Sequence, residues 1–169
     1  MSNWTTRVAC VLLAVAPAAY ADKTAATKSA TNTKQNEPVA LNPSELKWTA
    51  GPPDLPKGVQ MAVLHGDPTK AGNFTVRLKM PDGYKIPAHW HSQEEQLTIL
   101  GGKLDLHMGD TMDAPGHTLE TGGYHFLPAN THHVAQAKGE TIVQIYGTGP
   151  FDIRYTNPAD NPNPKNARR

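Results

Sequence analysis

Cysteine is almost missing from this 169-residue sequence, which has a single one, Cys10. A disulfide framework and a cysteine-based zinc site are thereby excluded, and the body of the chain has no thiol nucleophile. A surplus of one charge is missing as well. The 16 lysines and arginines stand against 15 aspartates and glutamates, so there is no basic field of the kind that draws a protein to nucleic acid or an anionic membrane. The third absence is a long apolar run. The uncharged stretch 8–21 falls short of the roughly 18–20 apolar residues that a bilayer span requires, and Pro17 interrupts it, so no transmembrane segment is expected. What the chain does have is 15 prolines and 14 glycines, a composition full of turns, and eight histidines, where its chemistry is to be sought.

The N-terminus reads as an export signal. Arg7 supplies the positive charge, residues 8–21 the apolar stretch, and Ala19-Tyr20-Ala21 ahead of Asp22 the small-x-small pattern that a signal peptidase cleaves. Removal of residues 1–21 would take Cys10 with it and leave a cysteine-free protein, secreted or periplasmic. Residues 22–40 are rich in Thr, Lys, Ala, Asn and Gln, have almost nothing to bury, and are expected to form a disordered tether. Residues 157–169, with three prolines and a closing Arg168-Arg169, read as a tail. One folded domain, 41–156, lies between them.

That domain reads as all-β. Phe74, Val76, Leu78 and Met80 alternate with Thr75, Arg77 and Lys79, which buries one face of a strand and leaves the other polar. Shorter runs at 60–64, 95–100, 103–108, 124–127, 133–137, 141–146 and 151–155 have similar character, and turn residues separate most of them. Gly101-Gly102 suggests a tight hairpin, since both positions can take positive φ. About eight short strands at this spacing predict a sandwich or barrel, and no segment keeps a helical period.

His89 and His91 are two residues apart, so on a strand their rings leave the same face about 6.6 Å apart, near enough to share one ion. Glu95 has the same parity but lies about 13 Å further along a straight strand, so the chain must bend through Ser92-Gln93-Glu94 for it to join them. His133 follows a proline turn and opens another strand. Three imidazoles and a carboxylate form a borderline donor set suited to one divalent ion of iron, manganese, zinc, copper or nickel. Parity turns His132 and Glu94 to the opposite face. His65, His107 and His117 have no partner at ligand spacing, and His125 is the best of the remainder for a supporting role beside the site. Arg77 could reach a substrate carboxylate in a barrel lumen, though an outward, solvated arginine is the better expectation.

Gly83, His89, His91, Glu95 and Gly102 match the first motif of the cupin superfamily at each fixed position. Gly122, Pro128 and His133 follow its second motif, with Asn130 where glycine is usual and Ala137 where asparagine is frequent. The segment 52–158 further resembles small exported bacterial single-domain cupins. This resemblance implies a jelly-roll barrel, a double-stranded β-helix, with a metal inside held by His89, His91, Glu95 and His133. Asn130 is a mild departure, because Asn is the side chain that best tolerates a left-handed position.

The expected function is that of a metal-dependent oxidoreductase or dioxygenase-type enzyme acting on a small organic molecule. The alternative is a periplasmic cupin that binds metal or a small ligand without turnover. No catalytic residue beyond the ligands can be named, and pairing of two copies into a homodimer is compatible with the fold.

Overall fold

The computed structural model describes residues 37–163 and 165. The expected signal at 1–21 lies outside them, as do residues 22–36 of the expected tether. Residues 37–40 are exposed and without regular structure. Nine strands follow: β1 (Thr49–Ala50), β2 (Gln60–His65), β3 (Gly72–Met80), β4 (Lys85–Trp90), β5 (Glu95–Met108), β6 (Gly116–Glu120), β7 (Tyr124–Leu127), β8 (His133–Gly149) and β9 (Arg154–Tyr155). Two short 3-10 turns, Pro43–Glu45 and Pro158–Asp160, are the only helical elements among the described residues. None of these is long and apolar enough to cross a membrane.

All pairings are antiparallel, and the two long strands organise them. The C-terminal half of β8 pairs with β3 from Gly72↔Gly149 to Met80↔Thr141, while its N-terminal end pairs with β4, His89 facing His133. β5 runs beside β8 along almost its whole length, from Gln96↔Tyr146 to Met108↔His133, and also carries β7 on its first half and β6 on its second. The sheet thus curls over itself into the jelly roll. β1 and β2 extend one side through β3, and β9 closes the other through β4.

The expected hairpin at Gly101-Gly102 does not form. β5 continues through both glycines, and the register with β8 shifts on either side of Gly101. The shift changes which parity faces inward: Leu97 and Ile99 are buried before it, Leu104 and Leu106 after it. Gly102 takes φ +73° and is packed so closely that a Cβ would lie 2.3 Å from the Glu140 carbonyl oxygen. Likewise 133–137 and 141–146 are one strand, β8, which passes through Gly139 at φ +73°. The run 151–155 is a strand only at its last two residues. Asp152 directs its backbone oxygen and its carboxylate toward β4 and the bend that follows, so no ladder forms there. β6 has no counterpart in the sequence reading, because nearly all of it is exposed and burial imposes no alternation.

Phe74, Val76, Leu78 and Met80 of β3 project inward as the alternation predicts, against Val143 and Ile145 of β8 and Leu104 and Leu106 of β5. At roughly 25 cal/mol per Å² of apolar surface, side chains of this size contribute about 1.5–3 kcal/mol each, and in a domain without disulfides this burial supplies the stability. In the tail, Asn163 donates from Nδ2 to Asp54 Oδ1 at 3.0 Å, which lays that segment against the body.

Candidate metal centre

The ends of three strands bring the polar residues together. His89 is the last but one residue of β4, His91 sits just past its end, Glu95 opens β5 and His133 opens β8. The chain bends at Ser92 and Gln93, as the separation of Glu95 from His91 required. All four side chains are buried, with 2–7% exposure. One ring nitrogen from each of His89, His91 and His133 lies within 4.8 Å of the other two. Glu95 stands beside them, with Oε1 3.8 Å from His91 Nε2 and Oε2 3.7 Å from His133 Nε2. Donors bound to one ion at about 2.1 Å lie roughly 3–4 Å from one another, so these spacings suit a shared ion. Between the two ligand-spaced histidines, Trp90 points away and packs under the Arg154 guanidinium, 4.8 Å from its ring centre.

A backbone oxygen sets the orientation of each imidazole. His89 Nδ1 donates to the Pro87 carbonyl at 2.7 Å, His133 Nδ1 to Thr131 at 3.0 Å and His91 Nδ1 to Asp152 at 2.5 Å. With the proton on Nδ1, each Nε2 presents a lone pair, the tautomer and arrangement that metal-bound histidines adopt. His91 Nε2 is buried with no hydrogen-bond partner in the protein. An orphaned acceptor of that kind costs about 1–3 kcal/mol unless something occupies it, so the donor set fits a cation.

Burial, with help from His133 and His91, holds the His89 imidazole well below its ordinary value. Burial also lowers His133, with Glu95 pulling the other way. Both rings are therefore neutral and free to bind. Burial acts to raise the Glu95 carboxyl, but His91 and a hydrogen bond from His125 outweigh it and keep the group well below the usual carboxylate range. His125 enters through register. It faces Leu97 across β5 and β7, points inward, and places Nε2 3.1 Å from Glu95 Oε2. The sequence suggested a supporting role for His125, and cross-strand pairing supplies the contact.

The other histidines stay apart. His132 is outward, stacked on Trp90 and bonded to Asp110 at 2.7 Å, as its parity predicted. His107 bonds the Ala114 carbonyl. Asn130 takes φ +64°, the left-handed conformation expected where the cupin motif has glycine, and its N–H donates to the His91 carbonyl at 2.8 Å. Ala137 is core, 1% exposed. Arg77 lies on the outer face and donates from Nε to Gln144 at 2.8 Å, so it does not reach the lumen.

The cluster forms one end of a cavity of about 810 Å³ bounded by the inner faces of β3, β5 and β8. Residues 150–153 strap its rim. Phe151 stacks on His91 with ring centres 4.5 Å apart, and the Asp152 carboxylate accepts from Ser92 N at 2.8 Å and Ser92 Oγ at 2.7 Å.

Solved structures share this fold. A putative acetylacetone dioxygenase from Methylibium petroleiphilum superposes with a TM-score of 0.58 at 20% identity, covering 71% of this chain and 83% of that one. The polyketide cyclase RemF from Streptomyces resistomycificus gives 0.58 at 14% identity, with 69% and 84% covered. An RmlC-like cupin from Shewanella frigidimarina gives 0.53 at 14% identity, with 68% and 93% covered. At these identities the likeness shows the cupin fold, and the motif residues agree with it. No curated protein matches the sequence. Residues 13–154 match the family described as Domain of unknown function (DUF4437), and the chain belongs to that family.

Proposed function

We propose that the protein binds one divalent transition-metal ion through Nε2 of His89, His91 and His133, with Glu95 as the fourth ligand, and acts as a metal-dependent oxidoreductase of the dioxygenase type on a small organic molecule. The observation that carries this reading is the set of three Nδ1-to-carbonyl bonds, which aim three buried acceptor lone pairs at one point on the cavity wall. When bound, the ion supplies a Lewis acid or redox centre with positions left open beside the four ligands. The protein's own share is to hold the His89 and His133 imidazoles neutral, keep Glu95 ionised with the help of His125, and orient His91 through the strap at 150–153. The oxidoreductase reading draws further support from the putative acetylacetone dioxygenase among the structures that share the fold.

Elemental analysis of protein purified without chelator tests the proposal. Iron, manganese or copper near one equivalent, lost in His89→Ala, is expected. Redox-silent zinc at full occupancy would remove the dioxygenase reading and leave a binding protein. Glu95→Gln should lower metal content, and full retention would take Glu95 off the ligand list. Export is tested separately, by N-terminal sequencing of the mature protein, with Asp22 expected first.

A further inference from the structure

We infer that the cavity takes a neutral, largely hydrocarbon molecule with an oxygen donor at one end and discriminates against organic anions of the same size. The inference rests on the reading above only in taking the histidine cluster as the end where the polar group lies. The body of the cavity is lined by interior residues of both halves of the curled sheet, among them Phe74, Val76, Leu97, Leu106 and Ile145. Its volume of about 810 Å³ falls within the roughly 300–1,000 Å³ of sites that enclose small organic molecules.

The charges argue against an anion. No lysine or arginine is among the described residues that line the cavity, and its three charged side chains, Asp54, Glu95 and Asp152, are all acidic. Arg77, the one arginine the sequence offered for a substrate carboxylate, is on the outside and held by Gln144. The hydroxyl in the lining, that of Thr69, is committed as well, donating to Asp67 Oδ1 at 2.6 Å. An anion entering the metal-free cavity loses its hydration, finds no lysine or arginine along the wall, and meets the buried Glu95 carboxylate. A neutral hydrocarbon body loses nothing comparable and gains from leaving water.

The test uses a pair that differs only at the terminus, 4-phenyl-2-butanone and 3-phenylpropanoate. Each is titrated calorimetrically into the metal-free and the metal-loaded full chain at pH 7.5, with methyl NMR to locate binding. The ketone is expected to bind the metal-free protein at least tenfold more tightly than the carboxylate and to shift methyl signals of Val76, Leu97 and Ile145. Carboxylate binding within tenfold of the ketone, no ketone binding, or shifts confined to other residues overturns the inference. Metal titration distinguishes the two readings. A ketone preference without metal binding would sink only the metal proposal, and metal binding with a carboxylate preference in the metal-free protein would sink only this one.

Discussion

Replacing Asp152 by Ala tests whether the strap at 150–153 sets the metal centre or merely covers it. The carboxylate accepts two hydrogen bonds from Ser92 and one from Arg154 Nε at 2.7 Å, while the backbone oxygen of the same residue receives His91 Nδ1. Burial would raise the Asp152 carboxyl, but these contacts outweigh it and keep the group below its usual value. Hydrogen bonds to a charged acceptor contribute about 1.5–3 kcal/mol. The side chain is 34% exposed and Arg154 55% exposed, so water replaces part of each contact and the Arg154 pair adds little. About 2 kcal/mol in total is the expected loss. Once the carboxylate no longer grips Ser92, the Asp152 carbonyl is no longer held against His91, and the loss of such an orienting contact lowers metal affinity by about 10–100-fold. Urea unfolding of the metal-free protein measures the first effect, and titration against a competing chelator measures the second. Arg154→Ala is the control, expected to cost under about 1 kcal/mol and to leave affinity nearly unchanged. If Asp152→Ala loses the stability but binds metal within about twofold of the parent, the strap does not orient His91 and the reasoning fails.

Two further outcomes follow from the neighbours of Glu95. His125→Phe removes the donor 3.1 Å from Glu95 Oε2 and should lower metal affinity by about 10–100-fold, whereas His125→Gln, which keeps an N–H in reach, should recover most of it; equal losses in chelator titrations of the two variants would show that only packing was disturbed. In the metal-free protein His89 and His133 have lowered values, so below about pH 6.5 the unfolded chain binds more protons than the folded one and stability falls with pH. Glu95, also lowered, continues the trend below about pH 4.5. Urea midpoints that stay flat or rise from pH 7.5 to 5.5 would contradict the neutral, buried imidazoles.

The fold was legible wherever burial imposed a period. Phe74 to Met80 alternates because one side of β3 faces the core, and any exchange of parity would put Arg77 or Lys79 there. At Gly101-Gly102 a bulge stands in place of the expected hairpin, and the local sequence is compatible with either. A hairpin and a bulge both allow apolar residues to pass from odd positions, Leu97 and Ile99, to even ones, Leu104 and Leu106. The pairing of Gly101 with Ile142 decides between them, and that partner is far away in sequence.

The candidate site divides along a similar line. The spacing of His89, His91 and Glu95 and the bend at Ser92 follow from reach, so residue types and separations were enough to gather them. The position of His125 against Glu95 depends on the pairing of β7 with β5, which puts residue 125 opposite Leu97 with its ring inward. The groups that fix the tautomers are less visible still, because they are carbonyls, which every residue possesses. For His89 and His133 the acceptor is two residues earlier, Pro87 and Thr131, a local geometry that the chain makes at the end of one strand and the start of another. For His91 it is Asp152, brought in by the strap from the far end of β8. Of the three rings, His91 is therefore the one whose orientation depends on tertiary structure, and it is also the one whose Nε2 is buried without a partner. Metal affinity is therefore coupled to the stability of residues 150–153, because the orientation of the third imidazole depends on the Asp152 carbonyl.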